Sequence, residues 1–252
     1  MSGSTLFRLG AVLWILLLTS CEKIRTPVTP VNRPLKVWLH RANTIDKARH
    51  FQYQYSGLEL DVHYDTVYHT FLVKHDASDT TVLFLTAWLS ALDDPGHLGF
   101  WLDFKNLSAD NMLAASRELL RIRDLYNLTR QTIVVESPSP EYLHPFDTLN
   151  FRISFYIPTF DPSTVTPEEE LNFRNFINSN IEETWIRTLS ADYVQHGFMQ
   201  QWYPRMNKLL WYLSSWDQHV KDSVINVTRR DFTVEVLLVG EGYGSILLPE
   251  AH

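Results

Sequence analysis

The chain is poor in cysteine, in glycine and in positive charge. Its 252 residues include one cysteine and nine glycines, and 22 Lys and Arg stand against 29 Asp and Glu. The lone cysteine, Cys21, excludes a disulfide framework within the chain. A formal charge of −7 offers no basic surface for nucleic acid, whose phosphates demand one. No Gly-rich phosphate loop, Gly-x-Ser-x-Gly or His-Glu-x-x-His occurs. Nucleotide-loop, serine-hydrolase and zinc-protease chemistries therefore have no motif to rest on. An acidic balance still admits a phosphorylated substrate, because a bound divalent cation can supply the positive charge. Aromatic residues are abundant: 8 Trp, 11 Tyr and 14 Phe, within a hydrophobic share of 45%, are ample for one large core.

The apolar stretch AVLWILLL (residues 11–18) follows a single basic residue, Arg8. It is short for a membrane span and has the layout of a secretory signal. Leu18-Thr19-Ser20-Cys21 resembles a bacterial lipobox, in which cleavage precedes a cysteine that is then lipidated. The expected organisation is a signal over residues 1–20, then lipidated Cys21 and a Pro-rich tether to residue 35. One domain spans 36–252. This places the protein in the bacterial cell envelope, held to the membrane by its N-terminal lipid. Glu22, rather than Asp, directs it by the usual rule to the outer membrane, facing the periplasm or the exterior. Lipidation also blocks the only thiol nucleophile.

Beyond the tether, apolar runs and helix-like segments alternate. Strands are expected at 36–40, 58–64, 98–106, 131–137, 151–158, 185–191, 208–215 and 233–241. HTFLVKHD (69–76) extends the second unit. The spacing predicts helices over 44–55, 79–92 (capped by Asp79 or Thr80), 109–128 (capped by Ser108), 139–149, 166–183, 192–202 and 215–226. The helix behind Ser108 is the clearest, and Thr166 followed by Pro167 and three acids marks the start of another. Eight βα units in this length imply a compact α/β fold, a single-domain (β/α)₈ TIM barrel.

LELDVHYD (58–65) alternates strictly, with Glu59, Asp61, His63 and Asp65 on one face. On an inner barrel strand no such face is wet. Polar residues recur at four consecutive strand ends: His40 and Arg41, Glu59 and Asp61, His75 and Asp76, Asp103 and Lys105. Three carboxylates converging there would repel unless a cation neutralised them, and all-oxygen ligands suit Mg²⁺ or Ca²⁺. Asn43 is read as capping the first helix, Glu136 as supporting Lys105, and Trp211 and Trp216 as core. His63 is read as hydrogen-bonded to a loop.

HRAN, LELDVHYD, VKHD and WLDFKN, in that order over residues 37–106, resemble the glycerophosphodiester phosphodiesterase and phospholipase C-like superfamily. The resemblance implies a TIM barrel with Glu59, Asp61 and Asp103 on the metal. It makes His40 and His75 the general acid/base pair and puts Arg41 and Lys105 on the phosphate. It also implies a phosphodiester substrate such as a phospholipid headgroup, attacked by water or by a neighbouring substrate hydroxyl. Ala42 replaces the family's usual glycine, and Trp211–Ser214 departs from its Trp-Thr-Val-Asn. Only 27 residues separate Asp76 from Asp103, which leaves no room for the family's common insertion. That spacing is similar to the sphingomyelinase D-type branch. The competing expectation is a non-catalytic barrel lipoprotein that binds a lipid or envelope component.

Overall fold

The computed structural model describes residues 36–129, 132–211, 222–224, 226–227 and 230–241. The lipobox at Cys21, the tether and Trp216 lie outside the described residues, as does most of the helix expected at 215–226. No helix among the described residues is long and apolar enough to cross a membrane.

Eight parallel strands close on themselves: β1 (Val37–Leu39), β2 (Gly57–Asp65), β4 (Gly99–Phe104), β5 (Ile133–Ser137), β6 (Arg152–Tyr156), β7 (Thr188–Asp192), β8 (Asn207–Trp211) and β9 (Val234–Val239). Closure is made where β1 pairs with β9 on one side and β2 on the other. The short β3 (Thr70–Val73) runs antiparallel to β2, so HTFLVKHD folds back as a hairpin on the second unit.

Alternation along each strand divides the apolar residues between two cores. Leu58, Leu60, Val62, Phe100, Leu102 and Phe104 face outward into the larger core under the helices. Trp38, Trp101, Val134, Leu209, Val236 and Leu238 fill the barrel interior. Trp38 explains two of the scarce glycines. Gly57 and Gly99 sit opposite each other in register, and a Cβ on either would come within 2.3 Å or 2.2 Å of the indole. The ring thus lies across both strand starts, where no side chain fits beside it.

Helices α1 (Ile45–Phe51), α2 (Leu85–Ser90), α3 (Met112–Leu125), α4 (His144–Thr148), α5 (Pro167–Thr184) and α6 (His196–Trp202) pack outside. In α3, buried Ala115, Leu119 and Ile122 follow the three-and-four spacing. The start of α5 is fixed by a full capping box between Thr166 and Glu169. Three expected boundaries are corrected. Residues 79–84 are not helical: Asp79 caps a turn through Thr81 N, and Phe84 bridges Leu72 in extended form. The helix after Ser108 begins at Met112, behind Asn111, whose side chain instead accepts from Ser108 N. The segment 139–149 splits into a 3₁₀ turn, Pro140–Tyr142, and the short α4. Between Asp76 and β4 lie only α2 and one 3₁₀ turn, so the compact reading of that stretch holds.

Candidate active site

Strand register brings the carboxylates together. Asp61 on β2 stands opposite Asp103 on β4, and Asp103 stands opposite Glu136 on β5. Glu59, two residues before Asp61, shares its inward face. Oxygen atoms of Glu59, Asp61 and Asp103 lie within 4.8 Å of one another, with Glu59 and Asp61 buried. Burial first, then the charges of Asp61 and Asp103, raises the Glu59 pKa well above the usual carboxylate range. Burial likewise raises Asp103. Such a cluster is strained as bare anions and relaxed around a cation. The all-oxygen donor set fits a hard divalent ion.

The loop after β1 holds two of these acids in place. Arg41 adopts φ 54°, turning the chain so that its N–H donates to Glu59 Oε2 at 2.6 Å. Because Arg41 is the left-handed residue, Ala42 needs no glycine-like freedom, and its N–H donates to Glu59 O. Asn43 does not cap α1; Thr44 does, accepting from Lys47 N. Instead Asn43 Nδ2 donates to Asp61 Oδ2 at 2.6 Å, and its Oδ1 accepts from Asp61 N at 2.9 Å. Trp88 of α2 anchors the loop through Nε1 to Ala42 O, 2.9 Å.

His40 Nε2 lies 3.8 Å from Glu59 Oε2. Burial, reinforced by the Arg41 charge, lowers its pKa to about 4, so it is neutral at ordinary pH. His75 Nδ1 pairs with Asp76 Oδ1 at 2.9 Å, leaving Nε2 toward Arg41 Nη2 at 3.4 Å. His63 Nε2 meets the His75 backbone carbonyl at 3.2 Å, the loop contact expected of it.

Lys105 bridges Asp61, at 2.9 Å, and Asp103 through a short contact. Burial opposes its charge, but Asp103 and then Asp61 override that and hold its pKa above the ordinary lysine value. Glu136, in register with Asp103, supports Lys105 through the attraction of their charges rather than through a hydrogen bond, and its carboxyl meets Trp101 and Ser190. Burial, then Asp103, raises the Glu136 pKa.

A cavity of about 170 Å³ opens over these groups. One side carries His40, Arg41, Glu59, Asp61, His75, Asp103, Lys105 and Glu136. The other carries Tyr156, Trp211 and Leu238, with Trp101 beneath. Trp211 packs against the inner core and also walls the cavity, its ring centroid 6.1 Å from His40 and 6.5 Å from Tyr156. Tyr156 carries no motif in the sequence. Only its inward position on β6, set by the alternation of FRISFY, could have flagged it.

No family model matches the chain, and no curated protein does. Among solved structures it is similar to a glycerophosphodiester phosphodiesterase from Parabacteroides distasonis, with TM-score 0.61 and 16% identity over 85% of this chain and 97% of that one. It is also similar to an Oleispira antarctica phosphodiesterase in complex with the product sn-glycerol-3-phosphate. There the TM-score is 0.59 and the identity 9%, over 84% and 94% of the two chains. The chain thus has the (β/α)₈ barrel fold of these phosphodiesterases, along nearly their whole length.

Proposed function

We propose that the protein is a divalent-cation-dependent phosphodiesterase that cleaves a phospholipid headgroup or a related phosphodiester. The observation that carries the reading is the meeting of Glu59, Asp61 and Asp103 within 4.8 Å at strand ends flanked by two histidines, an arginine and a lysine. A pure binding barrel has no use for an acid/base pair beside a cation site. Mg²⁺ or Ca²⁺ held by the three carboxylates would supply positive charge to the phosphate oxygens.

The residues divide the remaining work. Arg41 and Lys105 bind the non-bridging oxygens and stabilise the charge that grows there. One imidazole, among His40 and His75, takes the proton from the attacking hydroxyl. As the attacking oxygen bonds to phosphorus, the P–O bond to the leaving alcohol breaks, and the other imidazole, entering protonated, donates its proton to that oxygen. Asp76 orients the His75 ring through Nδ1. The N-terminal lipobox, by this reading, tethers the enzyme to the outer membrane and so to its substrate.

The test is turnover by the full chain of a panel of phosphodiesters, with and without chelator, beside His40→Ala and Asp61→Asn. Cation-dependent turnover that falls about 10²–10⁴-fold in His40→Ala is expected. Tight cation binding with no turnover of any ester would instead make this a lipid-binding barrel.

A further inference from the structure

The parallel strands all start at one end of the barrel, opposite the cavity, and that base carries a surface the chemistry does not use. Trp185, Arg205 and Phe232 stand just ahead of β7, β8 and β9, three neighbouring strands. Trp185 is 81% exposed and Phe232 88%. Backbone bonds keep the segments side by side: Asn207 N donates to Arg187 O, and Lys208 N donates to O of Thr233, next to Phe232. A groove of about 640 Å³ joins Ile181, Trp185, Ile186, Arg187, Arg205 and Met206.

Neither aromatic ring serves the fold. Trp185 closes α5 at φ 59°, a left-handed position where glycine fits best and a bulky side chain is out of place. Its ring gains no burial in return. Phe232 sits in the turn that Asp231 fixes through Thr233, with its apolar surface in water. The nearby cations are equally unengaged. On the barrel wall Arg121 pairs with Glu118, Arg152 with Glu235 and Arg174 with Glu170. At the base, Arg187, Arg205 and Arg230 make no ion pair among the described residues. The acids nearby are Glu182 and Glu183, exposed in the last turn of α5, and Asp231, whose carboxylate is held by Thr233 and His196.

A leaflet of anionic lipid fits this mixture. Guanidinium groups meet its phosphates, and aromatic rings settle at the boundary between headgroups and acyl chains. The N-terminal segment joins the barrel on the same face. It enters at Lys36, directly before β1, whose Nζ donates to Asp231 O at 3.1 Å, so the entry lies beside Phe232. From Cys21 to Lys36 is 15 residues. A lipid on Cys21 therefore holds the base within about 50 Å of its leaflet. Such tethering gives an effective concentration of about millimolar, so weak contacts suffice for docking.

We propose that the base of the barrel is a docking face for an anionic membrane leaflet. Trp185 and Phe232 enter the interface, and Arg187, Arg205 and Arg230 lie on lipid phosphates. The docking face rests on the lipid-anchored reading and adds to it the direction in which the protein faces. Strands run from base to rim, so the cavity opens away from the anchoring leaflet. The phosphodiester then arrives from the aqueous side, free or held in a facing surface.

The test uses the full chain, processed by a bacterial host and reconstituted in vesicles of phosphatidylcholine and phosphatidylglycerol with brominated acyl chains. Bromine quenches an indole seated at the interface, and the part of the quenching that disappears in Trp185→Gly reports docking. The melting temperature of Trp185→Gly should hold or rise, because glycine suits φ 59°; a tryptophan kept for the fold would lower it when lost. Arg187→Ala and Arg205→Ala should each weaken the docking equilibrium, read from the quenched fraction, by about fivefold. Vesicles of phosphatidylcholine alone should weaken it further. Equal quenching in wild type and Trp185→Gly would overturn the docking face, as would quenching indifferent to the arginines and to lipid charge. Wild-type protein that floats with the vesicles yet shows no such quenching leaves the anchor standing and overturns the docking face alone. Protein that does not float with the vesicles overturns the anchor and the docking face together. Crosslinked dimers that vanish in Trp185→Gly would assign the face to a second copy of the chain, and overturn it too.

Discussion

The two halves of the barrel rim are built from the same βα unit and carry opposite equipment. From β1 to β5 the strand ends present eight titratable side chains to the cavity. From β6 to β9 they present Tyr156, Trp211 and Leu238. The first half can bind a charged phosphate and move protons. The second can only shape the space around it, because its groups neither titrate near neutral pH nor bind a cation. Burial pushes the Tyr156 hydroxyl further from ionisation still. Chemistry and fit are thus separable by strand, a division that substitutions can test.

The sharpest break is in the charged half. Asp61→Asn keeps the shape of the side chain but removes the central charge of the cluster. Divalent-cation binding, followed by calorimetry, should fall at least about 100-fold and turnover should fall with it. Chelation of the wild type should reproduce the loss. Full activity in Asp61→Asn, or in chelator, would show that the carboxylates serve only to hold Lys105.

Asn43→Ala is the next largest. Asn43 touches no substrate, yet it grips Asp61 by two hydrogen bonds, one to each of its backbone and carboxylate. Losing such a support typically weakens a metal site by about 10–100-fold. A purely structural role would lower the melting temperature and leave cation affinity in the folded protein alone.

The contrast between the halves also separates what the sequence discloses from what it withholds. The charged half is legible because each group sits at a strand end in an i, i+2 pair, Glu59 with Asp61 and Asp103 with Lys105. Strand alternation alone then puts both members on one face. The barrel is legible for the same reason: outward Leu58, Leu60 and Val62 fix which side of β2 meets helices. The aromatic half gives no such signal. Trp211 looks like core in a chain with eight tryptophans, since a ring lining a cavity and a ring filling one share the same pattern. Asn43 misleads for a local reason: it precedes a helix, where Asn is a good cap, but Thr44 is one residue nearer. The start of α2 is placed six residues early because apolar DTTVLFL reads as helix until β3 is there to pair with Phe84.

A smaller effect is expected where the second half is altered. Trp211→Leu removes the ring beside His40 and Tyr156 but keeps an apolar wall. The rate should change through KM, by about tenfold, with kcat held within about threefold. A drop in kcat as large as that of His40→Ala would move Trp211 into the chemistry and erase the division between the halves.

The smallest effect is one of stability, and here the halves differ in sign. At the rim, Glu59, Asp103 and Glu136 have folded pKa values above their ordinary ones. Without a cation their share of stability is full below the ordinary carboxylate range and is lost as pH rises through the shifted values. At the start of β9 the opposite holds. Asp231 accepts from Thr233 N at 2.8 Å and Oγ1 at 2.6 Å, and from His196 Nε2 at 2.9 Å. Although burial works against its charge, the Thr233 and His196 bonds lower its pKa to about 2. Its share is full above the ordinary value of 3.8 and is lost as pH falls toward 2. In chelator, the rim carboxyls should therefore raise the melting temperature as pH drops from neutral, against the opposite pull of His40, whose pKa is lowered to about 4, and Asp231 should lower it below about pH 4. Glu136→Gln should flatten the first arm and Asp231→Asn the second, with Asp231→Asn costing about 1–3 kcal/mol at neutral pH. Saturating Mg²⁺ or Ca²⁺ should erase only the first arm, because the cation replaces protons at the rim and does not reach Asp231. A melting profile that loses both arms together would show that the two ends of the barrel titrate as one unit.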